Sequence, residues 1–153
     1  MQTLCVVDMQ EEFSAYEKAL PQVIKEVKYA INSNHSIVFL EFKDCGTTLP
    51  KLTRLVKGYD KHAVTVKDTQ DGSRQFYRTA RKRGFNVETV RVVGVNRCQC
   101  VFDTVGSLCK VRAVKKIEVV EEGIKCECKC PMNVLYHGDI GSHKIHIVDG
   151  VRW

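Results

Sequence analysis

The chain has 153 residues, 44% of them hydrophobic and 27% charged, an ordinary balance for one globular domain that can bury a core without staples. A disordered or fibrous class is excluded. No apolar run approaches the roughly 20 residues of a membrane span, and no leader precedes the first strand-like segment, so one domain over residues 1–153 in the cytoplasm is expected. The net charge of +6 would help attract anions but is too diffuse to name a partner.

Strand-like and helix-like segments alternate along the chain. Thr3 to Val7 reads as a buried strand, Ala15 to Asn32 as a helix with an apolar stripe at Leu20, Val23, Ile24, Val27 and Ile31, and Ser36 to Phe42 as a second strand. Lys51 to Val56 follows Pro50 as a short helix. His62 to Val66 is a third strand. Asp71, Gly72 and Ser73 supply a turn and N-cap for a helix that stops at Gly84, where a left-handed C-cap is expected. Glu88 to Val93 is a continuous central strand, and a helix runs from about Cys100 to Arg112. Lys115 to Val120, Lys125 to His137 and Lys144 to Val148 read as strand, helix and strand. The alternation predicts an α/β fold: a three-layer α/β/α sandwich around a doubly wound, mainly parallel six-stranded sheet.

In such a sheet the carboxyl ends of the strands share one rim, where ligands bind. Three apolar runs end there in reactive side chains: LCVV in Asp8, HAVTV in Lys67 and VRVVGVNRCQ in Cys100. A carboxylate, an ammonium and a thiol in one crevice are the parts of a thiol nucleophile with base and electrostatic support. A thiol in the first turn of a helix also faces unpaired N–H groups and the positive end of the dipole, which favour thiolate and offer an oxyanion hole.

The segments VVDMQEEF and GVNRCQCV, with a lysine closing the third strand, resemble the isochorismatase-like cysteine hydrolases, which include nicotinamidases, carbamoylsarcosine amidases and ureidoacrylate amidohydrolases. The resemblance covers nearly the whole chain in element order. It implies a catalytic triad of Asp8, Lys67 and Cys100. Cys100 and not Cys98 is matched because it lies six residues after Gly94 and precedes Val101. It also implies a cis peptide between Val95 and Asn96, an oxyanion hole from the amides of Asn96 and Cys100, and a substrate pocket at Gln10, Phe13 and Val95, with Gln10 orienting Asp8 or Lys67 and Phe13 forming a wall. Lys61, six residues upstream of Lys67, is the competing lysine. The implied activity is hydrolysis of a C–N bond in a small amide or carbamoyl compound through a Cys100 thioester, by a homo-oligomer without a cofactor. The alternatives are a catalytically inactive binding or assembly module of the same fold, and an isochorismatase-type acid–base hydrolase. Nicotinamidases carry a metal site of one aspartate and two histidines after strand two, where EFKDCGTTLP has no histidine. Nicotinamidase activity is thereby disfavoured.

The eight cysteines come without a secretory context, and Cys98 with Cys100, like Cys126, Cys128 and Cys130, are too close for easy pairing within a cluster. They read as reduced thiols, with Cys5, Cys45, Cys98 and Cys109 as small core residues. The one-residue spacing of CECKCP, with His137 and His143 beyond it, departs from the gaps of structural zinc sites, so no metal is expected. Arg74, Arg78, Arg81, Lys82 and Arg83 read as a solvated helix face, and nucleic acid is not the expected partner.

Overall fold

The computed structural model describes residues 1–128, 143–151 and 153. The elements are β1 (Thr3–Val7), α1 (Tyr16–Asn32), β2 (Ser36–Phe42), α2 (Pro50–Thr53), β3 (His62–Lys67), α3 (Ser73–Lys82), β4 (Thr89–Val95), a single π-helical turn (Arg97–Val101), α4 (Phe102–Cys109), β5 (Lys116–Lys125) and β6 (Ile145–Val148). The strands form one sheet in the order β3-β2-β1-β4-β5-β6, and every neighbouring pair is parallel.

Period-two alternation builds the two buried faces. In β1, Leu4 and Val6 pack with Val23 and Val27 of α1, while Cys5 and Val7 face the opposite side with Phe76 of α3 and Val101, Val105 and Leu108 around α4. Each fully buried valine or leucine contributes about 1.5–3 kcal/mol. All five residues of β1 are buried, as a central strand covered on both faces requires. Among the described residues, no helix is long and apolar enough to cross a membrane.

Several boundaries differ from the sequence reading. The short second helix begins at Pro50 and ends at Thr53, because proline fits the first helical turn and needs no N–H partner there. The helix expected from Cys100 is split into the π-helical turn and α4. The fifth strand continues past Val120 to Lys125, since a register shift opposite Val92 and Gly94 absorbs the polar Glu121-Glu122-Gly123 step and resumes pairing at Ile124. Lys125 is therefore strand, and Cys126 to Cys128 are not helical. The remainder of the expected helix to His137 lies outside the described residues.

A charged cluster ties β4 to α1. Arg91 Nε donates to Glu26 Oε2 at 2.8 Å and Nη1 to Glu118 Oε2 at 2.9 Å, with Arg91 and Glu26 fully buried. Glu26 also accepts from the Val151 amide at 2.7 Å and the Trp153 indole at 2.8 Å, and Trp153 stacks on His35 at 4.6 Å. Glu26→Ala will leave Arg91 short of a charge partner and remove the acceptor of three further donors, the Val151 amide, the Trp153 indole and the Gln22 side-chain amide. It should cost about 3–5 kcal/mol in chemical denaturation, the range for breaking a buried pair from one side. A loss below about 1 kcal/mol would show that water enters the cluster readily.

Candidate active site

The strand order reverses direction between β1 and β4, the topological switch point at which open α/β sheets form a crevice. Asp8 follows β1, Lys67 ends β3 and Cys100 sits in the π-helical turn after β4. Asp8 adopts φ +48, a left-handed conformation that aspartate tolerates better than most residues, and it is fully buried. Its amide donates to Leu40 O at 3.0 Å, which fixes the chain as it leaves the sheet.

Lys67 Nζ lies 2.8 Å from Asp8 Oδ2, with both side chains buried. The ammonium donates to Thr69 O at 3.1 Å and sits 4.2 Å from the Phe42 ring centroid, a cation–π contact. Gly72 leaves room for the lysine stem, since a Cβ there would fall 2.8 Å from Lys67 Cδ. Lys61 stands at the opposite end of β3, where its Nζ donates to Asn34 O at 3.4 Å. Geometry therefore brings Lys67, and not Lys61, to Asp8.

The Cys100 thiol faces both the Asp8 carboxylate and the Lys67 ammonium. Burial, and then the negative charge of Asp8, push it up to about 12, with Lys67 pulling the other way. This corrects the expectation of a resting thiolate: with only 5% of the residue exposed, desolvation outweighs the helix end. Cys100 rests as a thiol beside the Asp8 carboxyl group. Burial also raises Asp8 above the ordinary carboxylate value, while the Lys67 ammonium acts in the opposite sense.

The Val95–Asn96 peptide bond is cis. The amides of Gln99 and Val101 both donate to Asn96 O at 3.1 Å, which tightens the turn around Cys100. Asn96 Oδ1 accepts from the Glu127 amide at 3.1 Å, linking that turn to the segment after β5.

Of the three residues expected at a pocket, only the half-buried Phe13 presents surface, with its ring edge-on to Phe42 at 6.4 Å. Val95 is fully buried and packs in the core on the α1 side. Gln10 is also fully buried. Its Nε2 donates to Phe42 O at 3.0 Å and Gly46 O at 2.7 Å, and its Oε1 accepts from the Phe42 amide at 2.7 Å. Its amide is engaged by the loop after β2 and shapes that loop instead of orienting Asp8 or Lys67. Phe42 and Thr69, which hold Lys67, were not singled out from the sequence. Phe42 ends a strand on the same rim, and that position was the available signal.

Cys98 is likewise not a core residue. It is half-buried and lies against Cys126 and Cys128. Burial works against ionisation of Cys126, yet sulfur hydrogen bonds from Cys98 and Cys128 outweigh it and lower the thiol to about 6.

Neither a protein-family model nor a curated protein sequence matches the chain. Solved structures do. A nicotinamidase from Staphylococcus aureus superposes with a TM-score of 0.76 at 21% identity, over 92% of this chain and 97% of that one. The MAR1 ribonuclease from Caenorhabditis elegans gives 0.73 at 20% identity, over 97% and 76% of the two chains. N-carbamoylsarcosine amidase from Thermoplasma acidophilum gives 0.75 at 17% identity, over 99% and 98%. At these identities the likeness is one of architecture, and the chain has the isochorismatase-like α/β fold.

Proposed function

We propose that the protein is a cysteine hydrolase that cleaves the C–N bond of a small amide or carbamoyl compound, with Asp8, Lys67 and Cys100 as its catalytic residues. The observation that carries this reading is the buried Asp8–Lys67 pair at 2.8 Å with the Cys100 thiol facing both groups. Asp8 takes the thiol proton as sulfur attacks the carbonyl carbon, and the amides of Asn96 and Cys100 receive the developing oxyanion. Asp8 then protonates the leaving nitrogen as the C–N bond breaks, leaving a thioester on Cys100. Water attacks the thioester with Asp8 again as base, the acid departs and the thiol regains its proton. Lys67 holds Asp8 in place and stabilises its charge. A cytoplasmic homo-oligomer belongs to the same reading.

The test is ammonia release from a panel of small carboxamides and N-carbamoyl amino acids, nicotinamide and N-carbamoylsarcosine included. Turnover of one panel member supports the reading. Its pH profile follows from Asp8, which must be ionised to act as base. Because burial raises its pKa, kcat/KM should fall with decreasing pH through a midpoint above the usual carboxylate value of about 4. Among the described residues, Cys5, Cys45, Lys67 and Cys100 are titratable groups that interact with it. A profile flat down to that value would remove Asp8 as the base.

A second reading rests on α3. Arg74, Arg78, Arg81 and Lys82 line a groove of about 580 Å³ with Tyr77 and Thr65, and structures of the same fold include MAR1 ribonucleases. Binding of single-stranded RNA that weakens steeply with salt would favour it. Amide turnover without such binding would reject it.

A further inference from the structure

The π-helical turn and the end of β5 bring three thiols to one point. Cys98 Sγ lies 2.7 Å from Cys126 Sγ and 3.1 Å from Cys128 Sγ, and the latter two are 3.0 Å apart. From this triangle we propose that Cys98, Cys126 and Cys128 form a binding site for one thiophilic d10 cation, Zn²⁺ or Cu⁺.

Local geometry explains how a one-residue spacing serves. β5 ends at Lys125 and the chain bends at Glu127 and Cys128, which brings the sulfurs of Cys126 and Cys128 to 3.0 Å from each other and both against Cys98 in the π-helical turn. The cysteine-x-cysteine pair is a chelating arm, and Cys98 closes the site from another element. The Glu127 amide, between the two arm cysteines, donates to Asn96 Oδ1 at 3.1 Å and holds arm and turn in register.

The arrangement is unlike thiols packed as small apolar groups. Cys98 and Cys126 are half-buried and Cys128 is exposed, so an ion can enter from solvent. The three separations are nearly equal, as a facial set of ligands requires. With Zn–S bonds of about 2.3 Å a tetrahedral ion holds its sulfurs about 3.8 Å apart. Each edge must therefore widen by about 1 Å on loading, within reach of side-chain rotation near a strand end. Three thiolates complete a trigonal Cu⁺ site, whereas Zn²⁺ takes a fourth donor such as water. The thiols release protons as the ion binds. Loaded, the site would staple the turn bearing Cys100 to the end of β5.

The test uses the full chain, reduced and stripped of metal, and does not depend on turnover. Zn²⁺ titrated against a chromophoric chelator should load one ion per chain, Co²⁺ should give sulfur-to-metal charge-transfer absorption, and X-ray absorption of the Zn²⁺ or Cu⁺ form should count three protein sulfurs. Coordination number separates the two ions. Cys98→Ser and Cys128→Ser should each weaken binding by about a hundredfold or more, while Cys109→Ser should leave it unchanged. Cys128 is exposed, so its variant will keep the fold, checked by circular dichroism, and decides the matter if Cys98→Ser does not. Wild-type affinity in Cys98→Ser would show that the segment after β5 binds alone and would overturn the site. Equal affinity in wild type and Cys128→Ser would also overturn it.

Discussion

Cys100→Ala will abolish amide hydrolysis while leaving the fold intact. Alanine keeps Cβ and removes only the sulfur from a side chain that is buried in the core on the α4 side, so the packing loss is confined to one atom and leaves the surrounding side chains in place. The chemical loss is large, because neither Asp8 nor Lys67 can form the thioester, and the rate should fall by many orders of magnitude. Cys109→Ala is the matched control. It removes a half-buried thiol from α4, outside both the triad and the three-cysteine group, and should retain activity. Thermal unfolding of both variants alongside steady-state turnover checks the prediction. Undiminished turnover in Cys100→Ala would move the chemistry to an Asp8-centred acid–base reaction.

Gly94→Ala will act on the scaffold instead. Gly94 pairs with Val7 between the two central strands and has φ +123, a conformation that side chains rarely adopt. A Cβ there would fall 2.0 Å from Val7 O and 2.6 Å from Val7 N. Both atoms are backbone of a fully buried strand, so no rotamer change relieves the clash. β1 and β4 must separate where they bring Asp8 and the Cys100 turn together. The expected cost exceeds about 4–5 kcal/mol, in the range where a small domain loses its folded state. Soluble yield and far-UV circular dichroism measure it. A variant with the wild-type denaturation midpoint would contradict the close approach.

The difference between these two substitutions parallels what the sequence disclosed. The alternation of Leu4, Cys5, Val6 and Val7 announces a strand buried on both faces, and a strand that ends in Asp8, Lys67 or the glycine before Cys100 places those residues on one rim. These are local signals. Glu121, Glu122 and Gly123 look locally like a strand end, and only pairing with β4 carries β5 past them. The resemblance places Gln10 at the pocket, whereas its side-chain amide faces the loop after β2, a contact that no local pattern announces. The protonated state of Cys100 depends on burial and on Asp8, which come from other elements. Cys98, Cys126 and Cys128 have no shared spacing to find. Their meeting is a product of where β5 ends.

The central claim is a covalent bond between substrate and Cys100. Acid quench during turnover of an amide identified from the panel, followed by peptide-resolved mass spectrometry, tests it directly. The account predicts an acyl adduct on the peptide at Cys100, present in wild type and absent in Cys100→Ala. Turnover without any acylated cysteine in wild type, or an adduct confined to another residue, would contradict it.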